Sequence, residues 1–161
     1  MKTLVLILIL FSSIFSFSQN LRTPEEVKYF NKEVIRLLNI ERKKLKLDTL
    51  IESDKLMKQC AFWSKECITK NFFKHSDRAS RLDAAECINY AFGKISVDRS
   101  IVYTIESFKD SEPHWAILMD PSFKYIGVSE YHNNTINHNR HVYPNASLYH
   151  IASIITIQVS R

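Results

Sequence analysis

The chain has 161 residues, a formal net charge of +5 and 45% hydrophobic residues. This length suits one domain with a hydrophobic core of its own. Its 22 basic residues are interleaved with 17 acidic ones, as on ordinary solvated helix faces, so the charge does not indicate a nucleic-acid-binding protein.

The first 18 residues have the pattern of a signal peptide. A charged start at Lys2 precedes an apolar run over residues 4–11, and Ser16 and Ser18 provide small residues before a cleavage point. The apolar run is too short to cross about 30 Å of hydrocarbon comfortably. We therefore expect residues 1–18 to be removed, residues 19–161 to form a single domain, and the protein to be secreted or periplasmic, with no transmembrane segment after cleavage.

Two amphipathic helices are predicted in the first part of the domain. Thr23 is a suitable N-cap, Pro24 suits the first helical position, and Glu26 completes a capping box. Apolar residues then recur at helical spacing to about Lys44. A second helix is predicted from Ser53 onward, with small and apolar residues on one face.

The three cysteines leave two interpretations open. Cys60 and Cys67 are seven positions apart on the second predicted helix, which separates them by about 10 Å of helical rise. That separation exceeds the span of a disulfide, so at most one bridge, to Cys87, could form. Burial of three free thiols is the alternative.

The second half of the chain combines short helices and strands. The segment from Ala85 to Phe92 is predicted to be a strand or irregular, and Ser96 or Asp98 can cap a third helix. A short fourth helix begins at Pro113 and carries His114. Two strands are then predicted over residues 123–132 and 148–159, separated by a polar loop. Helices first and antiparallel strands last indicate an α+β domain.

A single core is predicted from these periodicities. Its expected members are Phe30, Val34, Leu37, Leu56, Cys60, Ile105, Ile126 and Ile155.

Two histidines and one acid lie at the ends of predicted elements. They are His75 after the second helix, Glu86 at the start of an extended segment, and His114 in the fourth helix. Imidazole and carboxylate groups bind metals, move protons or satisfy each other when buried. Because element ends can direct polar side chains into a shared cleft, we expect these three to converge on one solvent-reachable cavity.

Several short motifs together resemble the CAP superfamily, which comprises cysteine-rich secretory proteins, antigen 5 and pathogenesis-related 1 proteins, also called SCP domains. The order and spacing of the motifs, over about residues 27–159, are most similar to the compact bacterial members. The motifs are Asn39 with Arg42, Leu50, His75 with Ser76, Glu86, the Ser111 to His114 run, and Ile126-Gly127-Val128.

The resemblance implies a three-layer α-β-α sandwich with a central antiparallel sheet and a surface cavity of two histidines and two acids. His75, His114 and Glu86 match three of these four positions, and Ser111 stands about where the second acid is found in other members. Two further departures are Cys87, where the family usually has asparagine, and Phe108, where it usually has tryptophan.

The sequence leaves three functions open for this cavity. Two neutral imidazoles and Glu86 would suit a divalent metal such as zinc, with water in a fourth position, although the same groups could form a hydrogen-bonded cluster without metal. Hydrolysis would use Glu86 or a histidine as general base and Ser76 or Ser111 as nucleophile.

The third function, which the resemblance favours, is an exported binding module with a cleft for a small apolar ligand, lipid or peptide. The aromatic residues near the histidines that could serve such a cleft are Phe72, Phe73, Trp115 and Tyr131, although each could equally fill the core. We adopt this third interpretation, with the cavity as a candidate zinc site and hydrolysis as the alternative. The loop histidines His138 and His141 are interpreted as solvated surface residues.

Overall fold

The computed structural model describes residues 22–70, 72–77, 84–92, 96–133 and 152–161. The expected signal peptide and most of the polar loop before the last strand lie outside these ranges. The described helices are α1 (Pro24–Lys44), α2 (Asp54–Thr69), α3 (Val97–Lys109) and α4 (Glu112–Leu118). The described strands are β1 (Ile51–Glu52), β2 (Ala84–Phe92), β3 (Tyr125–Asn133) and β4 (Ala152–Ser160).

The helix starts follow from local capping. Thr23 and Glu26 form the expected capping box at the start of α1, with Pro24 in its first turn. Ser96, and not Asp98, caps α3, because its side chain accepts a hydrogen bond from the Arg99 amide. Both helices therefore begin where short-range hydrogen bonding satisfies amides that would otherwise lack partners.

The four described strands form one mixed sheet in the order β1-β3-β4-β2. The pairs β2–β4 and β3–β4 are antiparallel, as expected, but β1 pairs with β3 in parallel. The expectation of a wholly antiparallel sheet was therefore wrong. The amide of Ile51 donates to the Lys124 carbonyl (2.8 Å), and the amide of Ser53 donates to the Ile126 carbonyl (2.9 Å). A strand of two residues is too short for side-chain alternation to reveal it in the sequence.

Helices cover both faces of the sheet. On one face, α1, α3 and α4 enclose the main core together with Ile126, Val128, Ile155 and Ile157. On the other face, α2 packs on a smaller cluster that includes Ile88, Tyr131 and Ile154. The sheet thus lies between two helical layers.

Most of the expected core residues are buried, with one correction on α1. Phe30 and Val34 are fully buried, whereas Leu37 is only partly buried and Leu38 takes the inward position. Residues 30, 34 and 38 are spaced by four, so they lie on the same face of the helix. Cys60, Cys67 and Cys87 are all buried free thiols, which decides between the two interpretations of the cysteines.

Two polar side chains of α1 connect this helix to distant loops. Asn39 forms two hydrogen bonds with the backbone of Leu50, at 3.0 and 2.7 Å. Arg42 is fully buried and donates to the carbonyls of Asp48, Leu118 and Asp120. Because Leu118 is the last residue of α4, Arg42 holds the helix that carries His114.

In the part of the chain that the structure describes, no helix combines the length and the apolar character needed to cross a membrane.

Candidate functional site

The candidate site lies at β2, which forms one edge of the described sheet. Successive side chains of a strand point to opposite faces. Glu86 therefore points to the face covered by α2, beside Gln158 of β4, whereas Cys87 joins the main core on the other face. His75 contacts Glu86 from the segment after α2, and the backbone carbonyl of His114, on α4, contacts Cys87 of the same strand.

The carboxylate of Glu86 is almost completely enclosed and accepts three hydrogen bonds. One oxygen accepts from His75 Nδ1 (3.1 Å) and from the amide of Ser76 (2.8 Å). The other oxygen accepts from Gln158 Nε2 (2.8 Å). Both oxygens are thus engaged within the protein, which balances the desolvation of a buried carboxylate.

The contact with Glu86 orients the ring of His75. The Glu86 side chain is 2% exposed and that of His75 is 61% exposed, so the imidazole projects from a buried anchor toward solvent. An ionised carboxylate can only accept hydrogen bonds, so Nδ1 carries the hydrogen in this contact. The Nε2 atom of a neutral His75 is consequently left as a free acceptor or ligand atom.

His114 is half-buried and held by its surroundings. Its ring meets Phe108 edge-on, with 5.4 Å between ring centroids, and its carbonyl oxygen accepts a weak hydrogen bond from the Cys87 thiol. Burial, and then the charge of His75, lower the pKa of His114 below its ordinary value of 6.5. Both effects favour the neutral form of the His114 imidazole.

The aromatic residues beside the site pack against one another and are at least partly buried. Phe72 lies against Trp63 and Phe73 against Tyr90, with 5.4 and 5.3 Å between ring centroids. The indole of Trp63 also donates to the Lys74 carbonyl (3.0 Å). These contacts attach the segment that carries His75 to α2 and β2. Tyr131 belongs to the same cluster and Trp115 packs against the main core.

Ser111, the fourth predicted cavity residue, makes no described hydrogen bond with the other three. It precedes α4 as the N-cap, but its side chain makes no capping hydrogen bond. Among the contacts of the described residues, its hydroxyl reaches neither histidine nor Glu86.

This geometry limits the number of side chains that could bind a metal ion. Among the residues that the structure describes, no three His, Cys, Asp or Glu side chains are grouped so as to hold a metal ion. Glu86 has already committed both oxygens, and Cys87 points to the opposite face of the sheet. Burial raises the pKa of the Cys87 thiol, and the nearby Glu86 charge raises it further, so the thiolate form is disfavoured. Two imidazoles remain as available ligands.

Sequence reasoning missed Gln158 as a site residue. Gln158 lies 72 positions from Glu86 and is completely buried, yet its amide contacts the carboxylate directly. One signal in the sequence could have found it, because Gln158 lies in a strand with the apolar residues Ile155, Ile157 and Val159. If helices cover both sides of the sheet, the polar residues that alternate with these are buried as well.

Two clefts lie at the opposite edge of the sheet, beside β1. The larger has a volume of about 560 Å³ and is lined by Asp48, Thr49, Ile51, Pro121, Ser122, Phe123 and Lys124. The smaller, of about 200 Å³, lies between the start of α1, Glu52 and Met57. Neither cleft is lined by His75, Glu86 or His114.

Solved structures with a similar fold come from bacteria and from other sources. An outer surface protein from Borrelia burgdorferi matches over 90% of this chain and 99% of its own, with 17% identity and a TM-score of 0.60. An extracellular SCP-domain protein from Bacillus anthracis matches over 89% of this chain and 45% of its own, with 18% identity and a TM-score of 0.58. The structure of NaASP2 with Zn²⁺ matches over 89% and 83%, with 10% identity and a TM-score of 0.59.

A comparison with curated proteins found no match. These structural likenesses, all below 25% identity, establish the fold. The family model named CAP, the cysteine-rich secretory protein family, matches residues 35–144, which is more than half of the chain. With the same motifs placed on the same fold, the chain belongs to the CAP, or cysteine-rich secretory protein, family.

Proposed function

We propose that the protein is an exported CAP-domain binding module, and that its recognition site is formed by His75, His114 and Glu86, here called the histidine site. The observation that carries the proposal is the triple hydrogen bonding of Glu86. A buried carboxylate whose oxygens are all engaged orients its neighbours and has little capacity for further chemistry. The exposed ring of His75 and the neutral ring of His114 are the groups left to contact a ligand.

The ligand that we propose is a divalent transition metal ion, with zinc as the first candidate. Neutral imidazole nitrogen is a good ligand for such ions. Glu86 would act behind His75, in the way that carboxylates commonly orient metal-binding histidines. Two imidazoles fall short of the three or four protein ligands of catalytic and structural zinc sites, so we expect modest affinity, with water or a ligand group completing the coordination.

Hydrolysis receives less support from the same contacts. A nucleophile needs a base within hydrogen-bond reach and a third group that orients the base. Glu86 orients His75, but no described hydrogen bond joins the Ser111 hydroxyl to either residue. A cysteine nucleophile is disfavoured because Cys87 is buried and its pKa is raised.

The export part of the proposal rests on the residues before the domain. The charged start, short apolar run and small residues up to Ser18 support cleavage and a secreted or periplasmic location. A small apolar ligand, lipid or peptide stays a prediction, since the rings expected to line its cleft pack into the two clusters.

The test is calorimetric titration of the mature chain, residues 19–161, with Zn²⁺. We expect His75→Ala and His114→Ala each to weaken binding at least about tenfold, because each removes one of two protein ligands. Glu86→Gln should weaken it about 10- to 100-fold, the range usual for partners that orient a metal-binding histidine. His138→Ala, outside the described residues, is the control and should bind as the unaltered protein does.

Two results would contradict the proposal. One is an absence of zinc binding by the mature chain at millimolar metal. The other is binding that His75→Ala and His114→Ala leave intact, since the ion would then be held elsewhere.

A further inference from the structure

The side chain of Gln158 occupies an unusual place for an amide. It is completely buried in β4, with β2 on one side and β3 on the other. Its neighbours along the strand are Ile157 and Val159, which are also buried. A buried polar group lowers stability unless its hydrogen bonds are satisfied, so an amide at this position needs a reason.

The amide is only half satisfied. Nε2 donates to Glu86 Oε2 at 2.8 Å, while Oε1 is buried and has no hydrogen-bond partner among the described residues. Rotating the amide by 180° would place its oxygen against the carboxylate oxygen, with two acceptors facing each other. The contact with Glu86 therefore determines the orientation of the amide, and the protein retains it despite the unpaired oxygen.

With this contact, the three hydrogen bonds that Glu86 accepts are divided between its two carboxylate oxygens. Oε1 receives the His75 ring and the Ser76 amide, and Oε2 receives the Gln158 amide. Without Gln158, Oε2 would be buried without its donor, and the carboxylate would gain by rotating until both oxygens share the Ser76 amide. Such a rotation would move Oε1 out of line with the Nδ1–H bond of His75, which would then no longer hold the hydrogen on Nδ1.

We propose that Gln158 is the positioning residue of the histidine site: its amide fixes the Glu86 carboxylate in the orientation that receives the Nδ1 hydrogen of His75. The inference deepens the proposed function and rests on it, because it concerns how the same site presents His75 Nε2 to a ligand. Gln158 acts through Glu86 and touches neither histidine.

The experiment compares two near-isosteric variants of β4. Gln158→Met removes the amide, and Thr156→Val removes a buried hydroxyl that bonds Ser64 on the same face of the same strand. The ring nitrogens of His75 are observed by ¹⁵N NMR in the metal-free mature chain at about pH 8.5, about two units above the usual imidazole pKa of about 6.5. The ¹⁵N shifts distinguish a hydrogen on Nδ1 from one on Nε2.

We expect the unaltered protein and Thr156→Val to keep the Nδ1–H tautomer as the major form, and Gln158→Met to lose it. If Gln158→Met does not fold, Gln158→Asn gives the same reading, because the shorter amide stops short of Glu86. The inference is overturned if the Gln158 variants keep the tautomer, or if Thr156→Val loses it equally, since a general loosening of the strand would then explain the change.

A zinc titration of the same variants separates this inference from the proposed function. Gln158→Met should weaken zinc binding about tenfold, within the range for groups that act behind a metal-binding histidine. A protein that binds no zinc, but whose His75 tautomer depends on Gln158, would refute the metal proposal and leave the positioning role standing. A tautomer independent of Gln158 in a protein that does bind zinc would refute the positioning role alone.

Discussion

Nη1 of Arg42 donates a 2.8 Å hydrogen bond to the carbonyl oxygen of Leu118, 76 positions further along the chain. The same guanidinium reaches the carbonyls of Asp48 (2.7 Å) and Asp120 (3.0 Å). Arg42 thus joins the end of α1, the connector after it and the end of the short helix that carries His114. Its partners are backbone carbonyls rather than a carboxylate, and burial lowers the pKa of Arg42.

Replacing Arg42 should therefore strongly destabilise the folded protein. Arg42→Met keeps much of the side-chain volume but leaves several buried carbonyls without donors, each costing about 1 to 3 kcal/mol. We expect the free energy of unfolding to fall by about 3 to 5 kcal/mol, measured by urea denaturation. Arg36→Met on the same helix is the control, because Arg36 pairs with Glu33 at the surface and should leave the unfolding midpoint nearly unchanged. Equal effects of the two variants would contradict this role for Arg42.

Gly127 allows α2 to approach the sheet closely. A Cβ atom at this position would lie 2.5 Å from both Leu56 Cβ and Met57 N, and closer still to the Leu56 carbonyl carbon. Because backbone atoms of α2 cannot move aside without shifting the helix, Gly127→Ala should lower the free energy of unfolding by about 2 kcal/mol or more. Ser129→Ala is the control, because it places an alanine two residues further along the same strand, where a Cβ atom already fits. It should lower the free energy of unfolding by less. A Gly127→Ala variant as stable as Ser129→Ala would show that this packing is wrong.

Glu130 forms a second buried polar cluster, away from the histidine site. Arg22 Nε lies 3.0 Å from its carboxylate, and the Ser100 hydroxyl donates to it. Burial alone would raise the pKa of Glu130, but the contacts with His132, Ser100 and Arg22 outweigh it and hold the pKa below the ordinary value of 4.5.

The lowered pKa of Glu130 predicts the direction in which the free energy of unfolding changes with pH. The unfolded chain binds this proton at a higher pH than the folded chain, so the stabilisation is present above about pH 4.5 and is lost as the pH falls through the folded pKa. Glu130→Gln should lower the free energy of unfolding by about 3 kcal/mol near pH 7 and reduce its decline in acid. Urea denaturation from pH 7 to pH 3 measures both effects. Glu33→Gln, in a surface ion pair, is the control, and an unchanged acid decline in Glu130→Gln would refute the assignment.

The three thiols should be unreactive in the folded protein. Burial raises the pKa of Cys67 to about 12 and raises those of Cys60 and Cys87 as well, so the reactive thiolate is scarce at pH 8. With a chromogenic disulfide reagent we expect slow reaction of the native protein and release of three equivalents after unfolding. Fewer than three equivalents in denaturant without reductant would mean that a disulfide forms. Rapid reaction of the native protein would contradict the burial of these side chains.

Much of the helical structure was predictable because its signals are local. The capping box at Thr23 and the apolar period of α1 lie within a few turns of one another, and the order of the family motifs predicted the fold class. The motifs also selected His75, Glu86 and His114 as the candidate site residues. Sequence periodicity put both Leu37 and Leu38 on the apolar face of α1, and the predicted core wrongly included Leu37, since neighbouring positions differ by only 100° around a helix.

The roles of the site residues depend on contacts between distant segments. No local sequence pattern predicts that Glu86 contacts Gln158. None predicts that Ile51 pairs with a parallel strand, which makes the sheet mixed. Strand pairing determines which residues become neighbours, and helix packing determines which polar groups lose water. For this reason the sequence alone determined which side chains could form a site, whereas the tertiary structure decided that Glu86 is an enclosed acceptor, that His75 is the exposed ring, and that Ser111 lies outside their contacts.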